Sequence, residues 1–300
     1  MKNIHFFAVL ALVLLTTSCA FNKSFLNPIV FKKDLQKLVV NKTATDSMTI
    51  LFSGTQHQPT FLDKNLEPVA LEYSIESTMF KASGDYQLNG WMLKPKKEAV
   101  KATLIHFHGN GSNLLYQMKF VIPLVKKGYQ VFIFDYSGFG FSEGKVNRNQ
   151  LLMDGEDAIR YVKSRTDISG KPVFIHGMSY GGNLALCVAA KMQNEVDGII
   201  TEGAFSSHKD LASKGNRNKI MTRFFVKEMY ASEQFVAQIK KPLLIIHSED
   251  DAVILIINGE RIFKNATTTK KSFLKIKGKH LEANASDLEK IDAAISNLVQ

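Results

Sequence analysis

The sequence feature that most constrains the fold is residues 173–182, Val-Phe-Ile-His-Gly-Met-Ser-Tyr-Gly-Gly. A short β-branched and aromatic run ends there in the pattern G-x-S-x-G, and a helix-forming run follows at residues 183–191. The pattern predicts a buried strand, a sharp turn with Ser179 at its tip, and a helix. Because Gly177 and Gly181 have no Cβ, the backbone can turn tightly and the two arms can approach each other. We therefore expect Ser179 to stand clear of the sheet, above the positive end of the helix.

Strand and helix patterns alternate from about residue 70 onward, which is typical of a mostly parallel sheet with helices on both faces. The predicted fold class is therefore α/β, with a doubly wound sheet. The strands are predicted from residue 71 and at 86–94, 103–107, 130–134, 173–178, 198–201, 243–246 and 272–276. Helices are predicted at 114–127, 150–164 and 183–191, and from a capping box that begins at Ser286.

The first residues predict export. Lys2 is followed by an uncharged apolar run at residues 6–15, which is shorter than the roughly 20 residues that span a bilayer and typical of a secretory signal. The small residues before Cys19 resemble a bacterial lipoprotein signal, although Thr16 stands where leucine is usual. An ordinary cleaved signal peptide is the alternative, and Ala20 weakly favours outer-membrane sorting of a lipidated Cys19.

This interpretation divides the chain into three parts. Residues 1–18 are the expected signal peptide, residues 19–69 a lipidated tether and N-terminal extension, and residues 70–300 one α/β domain. Within the extension, residues 31–40 are weakly patterned and suggest a short helix.

Charge and cysteine content exclude some classes of function. The chain of 300 residues has a formal net charge of +10, which favours anionic lipids or wall polymers as neighbours, or reflects a lysine-rich solvated surface. Neither a zinc-ligand spacing nor a basic block with interleaved aromatic residues is present, so nucleic-acid binding is not expected. If Cys19 is lipidated, Cys187 has no disulfide partner, and its spacing with Leu184 and Val188 predicts a buried position.

An insert is predicted at about residues 204–240, because a simple crossover needs only about a dozen residues. Apolar residues share helical spacing there, namely Ile220, Met221, Phe224, Phe225 and Met229. One interpretation is a short lid that touches a lipid-like substrate or the membrane. The other is a crossover helix that packs its apolar side on the sheet.

The position of a catalytic base follows from chain order. A serine hydroxyl is a weak nucleophile and needs a base, which in turn needs an orienting acid. In a doubly wound sheet with a G-x-S-x-G turn the expected order is Ser, then Asp or Glu, then His. Of the eight histidines, only His280 follows every candidate acid, and it lies just past the last predicted strand. His280 is therefore the predicted base.

The predicted acid comes from the loop after the strand at 243–246. Glu249, Asp250 and Asp251 follow that strand directly. We select Asp251, with Asp250 as the second candidate and Glu202 as the third.

The predicted oxyanion hole uses two main-chain amides, one from the residue after the nucleophile and one from the loop after the third strand. These are the N–H groups of Tyr180 and Asn110. The glycine-rich loops at 108–113 and 135–144 fit neither G-x-G-x-x-G nor G-K-[ST], so a nucleotide site is not predicted. Asp135 is expected to orient its loop rather than to take part in catalysis.

Taken together, these motifs resemble those of the α/β-hydrolase fold superfamily over about residues 70–300. Within that superfamily, the chain is similar to the cap-poor serine hydrolases of the serine aminopeptidase-like, dienelactone hydrolase-like and BEM46-like groups. The motifs are Gly90-Trp91, H-G-N-G-S-N at 108–113, D-Y-S-G-F-G-F-S-E-G at 135–144, G-M-S-Y-G-G at 177–182, H-S-E-D-D-A-V at 247–253 and G-K-H at 278–280. The resemblance implies Ser179 as nucleophile, Asp251 as acid and His280 as base. Ser137 replaces the usual arginine and Ser248 the usual glycine.

The sequence thus predicts a serine hydrolase without metal or cofactor that cleaves an acyl ester or thioester through an acyl-enzyme. The alternatives are an aminopeptidase-like amidase and a non-catalytic envelope lipoprotein on a hydrolase scaffold. The expected partners are a small acyl-containing substrate and a membrane, reached through the lipid anchor. Five phenylalanines either shape an acyl pocket or pack in the core, namely Phe139, Phe141, Phe205, Phe224 and Phe225.

Overall fold

The computed structural model describes residues 25–41, 43, 46–168, 170–213 and 226–299. Its centre is a sheet of eight strands, of which the inner strands are largely buried and the two edge strands are partly exposed. The strands are β1 (Tyr73–Lys81), β2 (Gln87–Pro95), β3 (Thr103–Phe107), β4 (Gln130–Phe134), β5 (Val173–Met178), β6 (Gly198–Glu202), β7 (Leu243–Ser248) and β8 (Lys271–Ile276).

The sheet is mostly parallel. Its order is β1-β2-β4-β3-β5-β6-β7-β8. Strand β2 runs antiparallel to both β1 and β4, and the strands from β3 to β8 pair in parallel. The predicted fold class is confirmed. Parallel pairing brings the carboxyl ends of β3, β5, β6 and β7 to one edge, where the candidate site lies.

Helices cover both faces of the sheet, and each face has its own apolar core. One core contains side chains of α3, α4 and α7, and the other contains side chains of α1, α2 and α8. The helices are α1 (Leu114–Gln117), α2 (Ile122–Lys126), α3 (Arg148–Ser164), α4 (Tyr180–Met192), α5 (His208–Ser213), α6 (Ser232–Phe235), α7 (Ile257–Asn265) and α8 (Ala285–Val299). Short 3₁₀ turns lie at Met118–Phe120, Thr166–Ile168, Gln193–Glu195 and Val236–Gln238.

Two helix predictions after residue 70 need correction. The single helix expected at 114–127 is divided into α1, a 3₁₀ turn and α2, because Pro123 in the first turn of α2 has no N–H to continue the preceding turn. The final helix begins at Ala285 rather than after Ser286. Its first turn is capped by the Asn284 side chain, which accepts a hydrogen bond from the N–H of Asp287 at 2.9 Å.

The N-terminal extension contains more structure than its sequence pattern indicated. Residues Lys37–Asn41, Ser47–Ser53 and Gln58–Leu62 form a three-stranded antiparallel sheet. The short helix predicted at 31–40 is therefore wrong, since Leu38 and Val40 alternate with exposed residues, as in a strand. The small sheet packs Ile50, Phe52 and Phe61 against the core that contains α1, α2 and α8.

Several predictions concern residues outside the described ranges. These are the signal peptide at 1–18, Cys19, and the apolar insert residues Ile220, Met221, Phe224 and Phe225. Within the described ranges, none of the helices has the length and apolar character needed to cross a membrane. Cys187 is a free thiol and fully buried, as predicted from its helical spacing.

Candidate active site

Ser179 lies in the turn between β5 and α4. Its φ of 54° and ψ of −117° fall in a region that residues other than glycine enter only where their surroundings impose it. The Ser179 N–H donates to the Glu202 carbonyl at 2.8 Å, which ties the turn to the end of β6. Ser179 thus stands at the carboxyl edge of the sheet, where the sequence pattern placed it.

Gly177 and Gly181 are required in the turn because main-chain atoms lie too close to each of them to leave room for a Cβ. A Cβ on Gly181 would lie 1.9 Å from the carbonyl oxygen of Phe107 at the end of β3. A Cβ on Gly177 would lie 2.5 Å from the carbonyl oxygen of Gly181. Both contacts are with main-chain atoms, which cannot move aside as a flexible side chain can.

His280 follows β8 and meets the serine. Its Nε2 lies 3.0 Å from Ser179 Oγ. The imidazole packs beside Gly203, where an added Cβ would lie 3.1 Å from His280 Cε1. Ser248, which replaces the usual glycine, donates its hydroxyl to the Gly278 carbonyl and so joins the acid loop to the loop of the base.

Asp251 lies on the far side of the imidazole. Its Oδ2 is 2.6 Å from His280 Nδ1, and its Oδ1 accepts hydrogen bonds from the N–H groups of Val253 and Ile254, each at 2.8 Å. Burial opposes ionisation of this carboxyl, but the hydrogen bonds from His280 and the two main-chain groups outweigh it and lower its pKa. Asp251 is therefore ionised at neutral pH and fixed in orientation.

The second and third candidates for the acid, Asp250 and Glu202, make no hydrogen bond to His280. Asp250 is exposed, and its carboxylate accepts a hydrogen bond from the Gly278 N–H at 3.3 Å. Glu202 is buried, and burial raises its pKa to about 7. Within the described residues, its carboxyl group has no hydrogen-bond partner.

The two predicted oxyanion donors belong to residues near the nucleophile. Tyr180 follows Ser179 directly, and the loop of Asn110 passes close by, since a Cβ on Gly109 would be 3.9 Å from Ser179 Cβ. In the described part of the chain, neither the Tyr180 N–H nor the Asn110 N–H is paired with an acceptor. Both donors are thus available to a ligand atom.

Asp135 holds the loop after β3 in place. Its Oδ1 accepts the N–H of Leu114 at 2.6 Å and lies 3.6 Å from His108 Nε2. Its Oδ2 faces Gly140, where an added Cβ would lie only 1.9 Å away. The orienting position that the sequence suggested for Asp135 fits these contacts.

The described phenylalanines of the predicted acyl pocket are core residues. Phe139, Phe141 and Phe205 are each at most 4% exposed. Phe139 packs edge-on against Tyr136 and His108, and Phe141 packs against Phe31 and Phe52. These three side chains therefore pack in the core, which was the alternative to an acyl pocket.

Sequence reasoning missed a buried polar network behind Tyr180. The Tyr180 hydroxyl lies 3.1 Å from His208 Nε2 and 2.8 Å from the Tyr230 hydroxyl. His208 Nδ1 lies 2.9 Å from a carboxylate oxygen of Glu228. Tyr180, His208 and the pair Glu228 and Tyr230 lie at least 20 positions apart and have no motif spacing, so only the packing of the segments that carry them could reveal the network.

Within the described ranges, no group of three or more His, Cys, Asp or Glu side chains is arranged to hold a metal ion. The chemistry that the arrangement permits is proton transfer from Ser179 Oγ to His280 Nε2, with Asp251 holding the imidazole in the tautomer that accepts this proton.

The fold and the serine turn define the class of protein as an α/β hydrolase. Residues 102–230 match the family described as alpha/beta hydrolase fold. The uncharacterised protein YfhR of Escherichia coli K12 is 32% identical over 217 residues, covering 70% of this chain and 75% of its own. The lysophosphatidylserine lipase ABHD12 of Danio rerio is 27% identical over 185 residues, covering 56% of this chain and 48% of its own.

Among solved structures, the esterase Pf2001 of Pyrococcus furiosus is similar with a TM-score of 0.64 and 16% identity, covering 76% of this chain and 91% of its own. At that identity the likeness shows the fold. The chain belongs to the α/β-hydrolase superfamily, as its motifs predicted.

Proposed function

We propose that the protein is a serine hydrolase that cleaves an acyl ester or thioester through a covalent acyl-enzyme. The observation that carries the proposal is an unbroken hydrogen-bond chain from Asp251 through His280 to Ser179. Its two links are 2.6 Å and 3.0 Å long. In this proposal Ser179 is the nucleophile, His280 the general base and Asp251 the group that holds the imidazole tautomer.

The reaction proceeds in two halves. Ser179 Oγ attacks the acyl carbonyl carbon while its proton passes to His280 Nε2, and the carbonyl oxygen takes the negative charge between the Tyr180 and Asn110 N–H groups. The tetrahedral intermediate collapses, His280 protonates the departing alcohol or thiol, and the acyl group remains on Ser179. Water activated by His280 then releases the acid and restores the serine.

The proposed substrate class rests on the kinds of protein that this chain resembles. One relative is named a lysophosphatidylserine lipase, and a structural neighbour is named an esterase. Both names describe hydrolysis of an ester. We infer that this chain acts on a carboxylic ester or a thioester in preference to an amide.

Labelling with a fluorophosphonate probe tests the nucleophile. We expect wild type to be labelled, Ser179→Ala to be unlabelled, and Ser74→Ala, which changes an exposed serine on β1, to be labelled at the wild-type rate. Absence of labelling in a folded wild type would favour a non-catalytic scaffold. Equal labelling of Ser179→Ala and wild type would remove Ser179 from the mechanism.

A substrate panel tests the class of bond. p-Nitrophenyl esters of graded chain length are compared with aminoacyl anilides at equal concentration. We expect the esters to be cleaved faster after correction for their spontaneous hydrolysis. Faster cleavage of the anilides would reverse the ranking in favour of an aminopeptidase-like amidase.

We also propose that the protein is exported and anchored to the bacterial envelope, in the outer membrane, through a lipid on Cys19. The support is the apolar run at residues 6–15 and the small residues before Cys19. Metabolic labelling with an alkyne fatty acid is expected to mark wild type but not Cys19→Ala, with Cys187→Ala as the matched control that keeps the label. Equal labelling of wild type and Cys19→Ala would refute the anchor.

A further inference from the structure

We propose that residues 25–31 act as a positioning strap that holds the main chain of Asn110, and with it one half of the oxyanion hole, in its productive orientation. The inference rests on the proposed serine hydrolase function. It gives a catalytic role to a segment that precedes the α/β domain and contributes none of the reacting groups.

The strap lies along the loop after β3 as a short parallel strand. Asn27 pairs with Gly111 and Pro28 with Ser112. The Asn27 N–H donates to the Asn110 carbonyl at 2.9 Å, and the Ile29 N–H donates to the Ser112 carbonyl at 2.8 Å. These bonds join two segments that are more than eighty positions apart in the chain.

Asn110 is bonded to the strap a second time through its side chain. Its Nδ2 donates to the Phe25 carbonyl at 3.1 Å. The peptide before Asn110 is held from the other side, because the Gly109 carbonyl accepts the Nδ1–H of His108 at 2.8 Å. In a trans peptide the C=O and N–H point in opposite directions, so the Asn110 N–H is directed away from His108. The direction of this donor is therefore fixed by bonds on both sides.

The loop needs such support because of its composition. Gly109 and Gly111 flank Asn110, and glycine allows more backbone conformations than any other residue. Ser112 has a φ of 73°, which a serine adopts only where neighbouring contacts impose it. Its carbonyl is one of those bonded by the strap. A donor contributes most to catalysis when its orientation is set before the reaction begins.

The strap also touches the network behind the other donor. The Phe25 ring packs edge-on against His208, with ring centres 5.4 Å apart, and the Arg148 guanidinium lies 5.4 Å from the centre of the same ring. His208 in turn contacts the Tyr180 hydroxyl at 3.1 Å. Phe25 is 8% exposed, so it fills this space as a core side chain does. One short segment thus contacts the supports of both oxyanion donors.

The test removes one main-chain hydrogen bond between the strap and Asn110. Asn27→Pro deletes the N–H that donates to Asn110, whereas the matched control Asn27→Ala keeps it. The Asn27 side chain is exposed and makes no hydrogen bond in the described part of the chain. Asn110→Ala removes the bond to Phe25 and leaves the Asn110 N–H in place. kcat and KM are measured with a p-nitrophenyl ester, together with melting temperature and circular dichroism.

Complete loss of an oxyanion donor lowers the rate by about 10²–10³, and a misdirected donor loses part of that. We expect Asn27→Pro and Asn110→Ala to lower kcat about ten- to a hundredfold with KM within about twofold of wild type, and Asn27→Ala to match wild type. A purely structural strap would lower the melting temperature of Asn27→Pro without this fall in kcat, and that result overturns the proposal.

The outcomes separate the strap from the proposed function. An active wild type with unchanged kcat in both Asn27→Pro and Asn110→Ala refutes the strap alone. A folded wild type that neither hydrolyses the ester nor reacts with a fluorophosphonate refutes the proposed function, and the strap's catalytic role with it. If Asn27→Pro does not fold, Asn110→Ala decides the question, since it changes one side-chain hydrogen bond.

Discussion

Oδ2 of Asp251 lies 2.6 Å from Nδ1 of His280, across a separation of 29 positions in the chain. The other carboxylate oxygen is occupied by two main-chain N–H groups of the same loop. The carboxylate therefore has one orientation, in which it accepts the Nδ1 proton and leaves Nε2 free to accept a proton from Ser179. Asp250, one position earlier, is exposed and serves as a natural control.

Replacement of Asp251 by asparagine is expected to lower kcat by about 10³–10⁴, because an amide N–H facing Nδ1 favours the tautomer whose Nε2 already carries a proton. Asp250→Asn is expected to stay within about twofold of wild type, as for most exposed substitutions. The measurement is ester hydrolysis under saturating substrate. Similar rates for the two variants would assign the orienting acid elsewhere.

Substitution of Gly181 by alanine is expected to destabilise the protein. The new methyl group would meet the Phe107 carbonyl at 1.9 Å, and because main-chain atoms cannot move aside we expect a cost of about 3 kcal/mol, at the upper end of the usual range for overpacking. Gly109→Ala is the matched control, because its Cβ would find its nearest neighbour, Gln117 Nε2, at 3.7 Å. Urea unfolding checks both variants. A Gly181→Ala protein as stable as Gly109→Ala would contradict the close approach of α4 to β3.

The inner strands of the central sheet were predictable because most of their residues are apolar and buried. Strands β3 and β5, for example, are buried at every position, and apart from one histidine in each and Gly177 their residues are apolar or β-branched. The turn at Ser179 was predictable for a related reason. Its glycines are demanded by main-chain contacts that no other residue allows.

The N-terminal strands and the break before α2 were not predicted, although both leave local signals. Leu38 and Val40 alternate with more exposed residues, but Val39 between them is also apolar, and five residues give too few periods to separate a strand from a helix. Pro123 marks the start of α2, whereas the apolar residues on either side of it continue a helical spacing. In both places tertiary packing decides between two local interpretations.

The candidate site also has a part that the sequence predicted and a part that it did not. Ser179 follows from its motif and His280 from chain order, whereas Asp251 was selected from several candidate acids; the structure brings these three side chains into hydrogen-bond contact. Tyr180, His208 and Tyr230 form their network through three different segments. Nothing in their spacing distinguishes them from ordinary core residues, so the network required coordinates.

Cys187 is expected to be unreactive in the folded protein. Its side chain is fully buried in α4, and burial raises the pKa of the thiol well above its usual value, so almost no thiolate forms at neutral pH. Iodoacetamide should leave the Cys187 peptide unmodified in buffer and alkylate it in concentrated urea, as read by mass spectrometry. Rapid alkylation in buffer would show that α4 opens frequently.

The Glu202 side chain is expected to make stability fall as pH rises. Burial raises its pKa from 4.5 to about 7, so between these values the folded state binds more protons than the unfolded state. The stabilisation is complete below the unfolded pKa and is lost as pH rises through about 7. Glu202→Gln removes this titration, and relative to wild type it should gain about 2–3 kcal/mol in free energy of unfolding between about pH 5 and about pH 8.

Urea unfolding of both proteins at a series of pH values measures the difference. Glu249→Gln is the matched control, because Glu249 is exposed and its contact with Lys277 lowers its pKa below the tested range. Its curve should run parallel to that of wild type. A Glu202→Gln curve that also runs parallel to wild type would mean that the Glu202 carboxyl is ionised in the folded protein throughout this range, paired with a cation or reached by water at the edge of the sheet.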